Sequence, residues 1–220
     1  NFLGTNFGYE TGPYQDYNND TFGKKYLFRG DYNLSVKNKV NFRYIHLDSS
    51  TDNLVSTSSS LGFGRSRNAN ATGGMHYQNS NYKILENIRS LVGEWTSMFT
   101  DTVSNSLIVG FTKQDESRGY FGELFPFVDI LQANSTYISF GFEPFTPNNE
   151  LRYNSFQVQD NITFYRGNHT LTFGGSYERY KSENVFFPGS QSAYVYNSLA
   201  DFYADANDYL VNPNRATTPI

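Results

Sequence analysis

The chain has 220 residues, among them 20 Phe and 18 Tyr but no cysteine, and a formal net charge of −4. Without cysteine there is neither a disulfide framework nor a thiolate zinc site, and an acidic balance with both signs interspersed argues against a nucleic-acid partner. A mean hydropathy of −0.57 beside so many aromatic rings fits two β architectures. One is a transmembrane barrel with apolar residues at alternate positions and aromatic girdles; the other is a secreted sandwich with a Tyr-rich binding face.

Residues 1–23 read as loop, punctuated by Gly4, Gly8, Gly12-Pro13 and an Asn-rich run. A first strand is predicted over 25–35, with Tyr26, Phe28, Tyr32 and Leu34 on one face and Arg29, Asp31 and Asn33 on the other. After a short polar turn, 36–39, a return strand at 40–47 sets Val40, Phe42 and Tyr44 against Asn41 and Arg43. Residues 48–81 are Ser-, Asn- and Gly-rich and read as a long loop. A third strand, near 82–99, places Leu91, Gly93, Trp95 and Phe99 opposite Val92, Glu94 and Thr96. A turn near 101–105 leads into a fourth at 106–114, with Leu107, Val109 and Phe111 on its apolar face.

A second long loop, 115–150, holds the aromatic runs Tyr120–Phe127 and Phe140–Phe145. The clearest hairpin follows, with arms near 154–165 and 170–182. Phe156, Val158, Ile162, Phe164, Leu171, Phe173 and Tyr177 form one wall, and Gln157, Gln159, Asn161, Thr163, Ser176 and Glu178 the other. In the last loop, 183–220, Leu199, Phe202, Tyr203, Ala206 and Tyr209 recur at helical spacing, and Ser198 with Asp201 makes a capping-box-like start.

Three hairpins with short turns, separated by long segments, have the asymmetry of outer-membrane barrels; a soluble sandwich spaces its turns more evenly. The alternating segments approach the ~9–11 residues a tilted strand needs to cross the hydrocarbon, and no apolar run approaches the ~20 of a membrane helix. The apolar wall is rich in Tyr, which holds its ring in an apolar layer and its hydroxyl in water. An all-β, antiparallel barrel segment is therefore expected. Phe28, Phe42, Leu107, Val109, Phe111, Phe156, Val158, Ile162, Phe164, Leu171 and Phe173 would face outer-membrane lipid. Arg29, Asp31, Arg43, Gln157, Gln159, Asn161, Thr163, Ser176 and Glu178 would face the lumen. Six strands leave two unpaired edges, which lipid forbids, and the smallest barrels have about eight; the chain is expected to belong to a longer polypeptide.

Particular runs are also familiar. Asp115-Glu116-Ser117-Arg118, Phe125-Pro126-Phe127-Val128-Asp129-Ile130, Phe140-Gly141-Phe142-Glu143-Pro144-Phe145-Thr146, Asn184-Val185-Phe186-Phe187-Pro188-Gly189-Ser190 and Tyr196-Asn197-Ser198-Leu199-Ala200-Asp201-Phe202-Tyr203 resemble the TonB-dependent receptors of Bacteroidota. The likeness is to the Oar-like kind with a carboxypeptidase-regulatory-like domain. It implies a barrel of about 22 strands around a plug, energised by a TonB complex, with a surface lipoprotein or another outer-membrane assembly as a further partner. No plug or TonB-box segment is recognisable in this chain.

Candidate chemistry is sparse. His46, His76 and His169 have no metal-ligand spacing, and Asp201, Asp205 and Asp208, or Asp48 and Asp52, lack an EF-hand pattern, so no metal or cofactor is expected. No nucleophile constellation or phosphate loop occurs, Gly62-Phe63-Gly64 lacks a dinucleotide context, and Glu94 with Glu178 need not meet across a wide lumen. The chain is not expected to be an enzyme. The binding candidates are Tyr120, Phe121, Phe125, Phe127, Phe140, Phe142 and Phe145, which either stack on a ligand or pack together into a lid. The alternatives to uptake are a soluble module binding glycan or protein, and an outer-membrane adhesin or scaffold.

Overall fold

A computed structural model describes residues 1–58 and 74–215. In chain order the elements are α1 (Phe2–Phe7), β1 (Thr21–Ser35), β2 (Asn38–Asn53), β3 (Met75–His76), β4 (Tyr82–Thr100), β5 (Val103–Tyr120), β6 (Phe127–Gln132), β7 (Ser135–Phe140), β8 (Glu150–Arg166), β9 (His169–Val185), β10 (Ala193–Tyr196) and α2 (Leu199–Val211). Six of the strands form one antiparallel sheet in the order β1-β2-β4-β5-β8-β9, and four short ones form a second, β10-β6-β7-β3.

The large sheet is a meander whose registers run almost unbroken, with β1 and β9 as its edges. Directly paired residues share a face, so the register sorts every side chain. One row reads Phe28, Tyr44, Leu91, Phe111 and Phe156; the next reads Gly30, Phe42, Gly93, Val109, Val158 and Tyr177. Ile162, Phe164, Leu107, Leu171 and Phe173 lie on the same apolar face. Arg29, Asp31, Arg43, Gln157, Gln159, Asn161, Thr163, Ser176 and Glu178 lie on the opposite, polar face.

Asp160 breaks the alternation. It pairs with Leu107 and Gly175 on the apolar face, between Val158 and Ile162. Its Oδ1 accepts a hydrogen bond from Asn105 Nδ2 at 2.8 Å, so two polar side chains interrupt the band together.

The strands are longer than the sequence pattern suggests, and each hairpin turn is tighter. β2 continues through Asn53 and β5 through Tyr120, where loop was expected from 48 and 115, and β8 begins at Glu150. At ~3.3 Å per residue, the 19 residues of β4 span roughly 60 Å. Towards the long connections both faces of these strands turn polar, so apolar alternation fades while the ladder continues: Asp48 still faces Asn87, and Asn53 faces Tyr82. The turns shrink to Val36-Lys37, Asp101-Thr102 and Gly167-Asn168.

The long connections build a cap at the end opposite these turns. α1, α2 and the small sheet enclose a core of Leu3, Tyr9, Val128, Ile130, Ile138, Phe140, Phe202 and Ala206. α1 corrects the reading of 1–23 as loop: the Asn1 side chain accepts from the Gly4 N–H, and Gly8 closes the helix in a left-handed conformation. At six residues the helix is too short for a periodic signal. α2 forms where helical spacing placed it, with Ser198 Oγ accepting the Asp201 N–H at 3.1 Å. The run Gly62-Phe63-Gly64 lies outside the described residues.

Gly141 ends β7 at φ +97°, and a Cβ there would sit 2.2 Å from the Pro126 carbonyl oxygen and 2.7 Å from Phe127 Cα. Both obstacles are backbone, so neither can swing aside. Gly141→Ala should destabilise the cap by about 2–3 kcal/mol or more, seen as new proteolytic cleavage between residues 121 and 149 while the six-stranded sheet stays resistant.

Candidate functional site

The sheet and the cap each offer one surface that could act. On the polar face the carboxylates are held laterally by wall neighbours. Arg29 forks onto Asp31 with two bonds of 2.9 Å, and Lys39 lies 3.9 Å from the same carboxylate. Glu94 accepts from Asn41 Nδ2 at 2.9 Å and from Ser106 Oγ at 3.4 Å. Glu178 accepts from Ser155 Oγ at 2.6 Å and Gln157 Nε2 at 2.8 Å. Thr163 and Thr172 bond across the last hairpin at 3.0 Å. β5 and β8 separate Glu94 from Glu178, so the fold does not bring these two together. Each carboxylate is committed to positioning its own neighbours.

Pattern reading also missed part of this face. Leu27, Ile45, Leu47 and Ile88 are on it, and Leu27 is 67 % exposed. Their parity was legible, but a mixed wall gives no alternation to follow.

The cap gathers the aromatic candidates and divides them. Phe127 is fully buried in β6. Tyr120 packs on Phe142 with ring centroids 4.3 Å apart and donates its hydroxyl to the Pro147 carbonyl at 2.5 Å. Phe121 lies under the Lys83 ammonium at 4.2 Å, and Phe145 meets Phe186 edge-on at 5.6 Å. These five are taken up by packing within the protein and do not line the cap's cavity.

Phe125 and Phe140 instead line a cavity of about 300 Å³, with Phe7, Tyr194, Phe202 and Tyr209 as further walls. Tyr9 stacks on Phe125 at 4.1 Å, and burial pushes its hydroxyl up to about 12. At the other side Asp205 accepts from the Tyr196 hydroxyl at 2.6 Å and pairs with Arg215 at 2.5 Å, while Arg215 also binds Asp208. Burial and then the Asp205 carboxylate push the Tyr196 hydroxyl well above its ordinary value. An aromatic cavity with one polar side suits a small apolar ligand carrying a polar end. The sequence could not single out Tyr196 or Arg215, because they flank α2 and meet only through Asp205, beside walls that Phe7 and Phe125 bring from distant segments.

The histidines and acidic residues take other partners. His46 Nε2 lies 2.8 Å from Asp48, which also pairs with Arg89 at 2.5 Å. Asp52 pairs with Lys83 at 2.7 Å, and Asp201 accepts from the Oγ of the N-cap residue Ser198 at 2.8 Å. His76 is buried in β3, and His169 opens β9.

Glu143, like Asp129, is a fully buried carboxylate of the cap. Its Oε2 accepts from the Thr146 amide and hydroxyl at 2.6 Å each and from the Phe145 amide at 3.0 Å. Burial nevertheless holds its pKa above the ordinary carboxylate value, with those bonds only partly opposing the rise.

The chain matches the outer membrane beta barrel domain family over residues 4–218. It belongs to that family. The match spans wall and cap alike and places the protein in the bacterial outer membrane. No curated protein and no solved structure matches the chain. Membership of a membrane-barrel family decides against the soluble-sandwich alternative.

Because the folded pKa of Glu143 is raised, the unfolded cap loses this proton first as pH rises. Cap stability should therefore fall as pH climbs above ~4.3, the unfolded carboxyl value, until the folded value is passed. Glu143→Gln keeps a carbonyl acceptor for Thr146 and should flatten that slope. Near-UV melting of the cap at pH 5 and pH 8 measures both; an unchanged slope in the variant would assign the effect to another group.

Proposed function

We propose that the chain is part of the barrel wall of a TonB-dependent outer-membrane receptor of the Oar-like type found in Bacteroidota, whose whole molecule imports a ligand. The observation that carries this reading is the two-faced sheet with tight turns at one end and a packed cap at the other. β1 and β9 are edges of that sheet, and an unpaired edge is untenable in lipid. Further strands continue the wall to closure, at about 22 in this reading. The tight turns face the periplasm and the cap faces outward.

In that setting the apolar face meets lipid, and the polar face meets a plug domain carried by the same receptor. The cap cavity captures ligand from outside, a TonB complex supplies the energy, and a surface lipoprotein is a further partner. The wall's carboxylates orient neighbours, and the chain does no covalent chemistry. A packed cap would also serve adhesion or scaffolding, which differs in requiring no energy coupling. Loss of TonB should abolish ligand accumulation while sparing surface binding; accumulation that persists without TonB would refute the receptor reading.

Face assignment has its own test in the full-length receptor folded into lipid vesicles. Val158→Arg and Leu171→Arg should each cost about 2–4 kcal/mol, and Gln157→Arg close to nothing. Replacing Asp160 and Asn105 together by Val should stabilise the protein by about 1 kcal/mol or more, since the pair leaves the lipid layer without orphaning a partner. Equal responses from the two faces would invert the assignment.

A further inference from the structure

The apolar face changes character towards the cap. On each long strand, the first side chain past the apolar band, moving towards the cap, is Lys24 on β1, His46 on β2, Arg89 on β4, Lys113 on β5, Asn154 on β8 and Arg179 on β9. This collar is basic on five of six strands. Lys24 lies one row farther out than Arg89 and Lys113, opposite Asp48, and Arg179 one row nearer the band, opposite Phe156. The acidic residues of the same face, Asp48, Asp115 and Glu183, share the row of Lys24 and Arg152. They are drawn to Arg89 and Arg152, at 2.5 Å for Asp48–Arg89 and 3.2 Å for Asp115–Arg152. Among the described residues Lys113 and Arg179 have no carboxylate partner, although Lys113 sits directly opposite Arg89. Like charges in direct register repel, so this row is arranged for an anion from outside the protein.

Directly below Lys113 lies a second feature. Gly93 leaves a groove of about 410 Å³ floored by its backbone and walled by Phe42, Leu91, Val109 and Phe111. Its next neighbour towards the cap is a depression of about 320 Å³ between Asn87, Arg89, Lys113 and Asp115. A Cβ on Gly93 would meet only the Asn41 carbonyl oxygen, at 4.0 Å, so nothing in the fold forbids a side chain there. The space is open because residue 93 is glycine. An apolar slot under a cationic shelf matches a lipid: acyl chain in the slot, anionic headgroup on the shelf.

We propose that this wall binds an outer-leaflet lipid through its headgroup phosphate, held between Arg89 and Lys113, with an acyl chain lying over Gly93 between Phe42, Leu91, Val109 and Phe111. The site rests on the membrane orientation given above and is independent of TonB or of any imported ligand. Arg89 is positioned for the phosphate by Asp48 and by the Leu47 carbonyl, which accepts from its Nη1 at 2.7 Å. Lys113 is the free member that the lipid neutralises. Because the collar recurs on neighbouring strands, further lipids of the same kind seat beside the first.

The test is native mass spectrometry of the full-length protein in detergent, with phosphatidic acid, phosphatidylcholine or inorganic phosphate as probe. Phosphatidic acid should be retained over phosphatidylcholine. Lys113→Gln should weaken retention by about 5-fold, and Lys113→Gln with Arg89→Gln by about 25-fold. Gly93→Leu, which fills the slot and leaves every charge, should weaken it by about tenfold. Lys25→Gln on the polar face should leave it unchanged, and heat-resistant migration on gels confirms that each variant is folded. Equal retention of both lipids, or insensitivity to Gly93→Leu, would overturn the proposal. Competition by inorganic phosphate as effective as that by the lipid would reduce the site to an adventitious ion only. If orientation were inverted, Val158→Arg would be tolerated, which separates that failure from this one.

Discussion

The backbone ladder through β1, β2, β4, β5, β8 and β9 is the constraint on which the rest depends. In hydrocarbon each N–H and C=O must find a partner within the protein, because no water is there to take its place. An in-register antiparallel ladder meets that demand along the interior strands and at the same time fixes a period of two. Side-chain chemistry then follows from position. Val158 and Gln157 are chain neighbours, yet one joins the apolar wall and the other bonds Glu178 on the polar one. A slip of one residue in any hairpin would exchange the faces, and the tight turns hold the hairpins against it.

The cap obeys a different rule. Its strands are short, its core is built from rings on α1, β7 and α2 packed with Val128 and Ile130 of β6, and its order comes from packing rather than from a long ladder. Glu143 and Asp129 show how such a core accepts charge. Glu143 is wrapped by the Phe145–Thr146 turn, and Asp129 accepts from Ser139 Oγ at 2.6 Å. The cap therefore combines a rigid aromatic frame with a cavity whose polar side is set by Tyr196, Asp205 and Arg215.

Between these regimes the wall is a graded surface. Rings of Tyr26, Tyr44 and Trp95 accompany the aliphatic band, cations follow it, and acids follow the cations. The gradient runs in the order in which a membrane protein meets hydrocarbon, headgroup and water. Asp160 departs from it, and its bond to Asn105 shows that a buried-type solution has been applied at an outward position.

Fold class, strand parity and both faces of the large sheet were legible in the residues, because period-two alternation is a local property and register only repeats it. The capped start of α2 was equally local, written in Ser198 and Asp201. The ends of β2 and β5 were not legible, since polar residues on both faces give no alternation while backbone pairing continues. Nor was the division of the aromatic runs, in which Phe125 and Phe140 line a cavity while Phe127 is buried and Tyr120 packs on Phe142. Which rings meet depends on segments more than a hundred residues apart, such as Tyr9 and Phe125. The sequence by itself determined which way each side chain of a strand points; only the tertiary structure decided which strands stand side by side, and so which charges and rings share a surface.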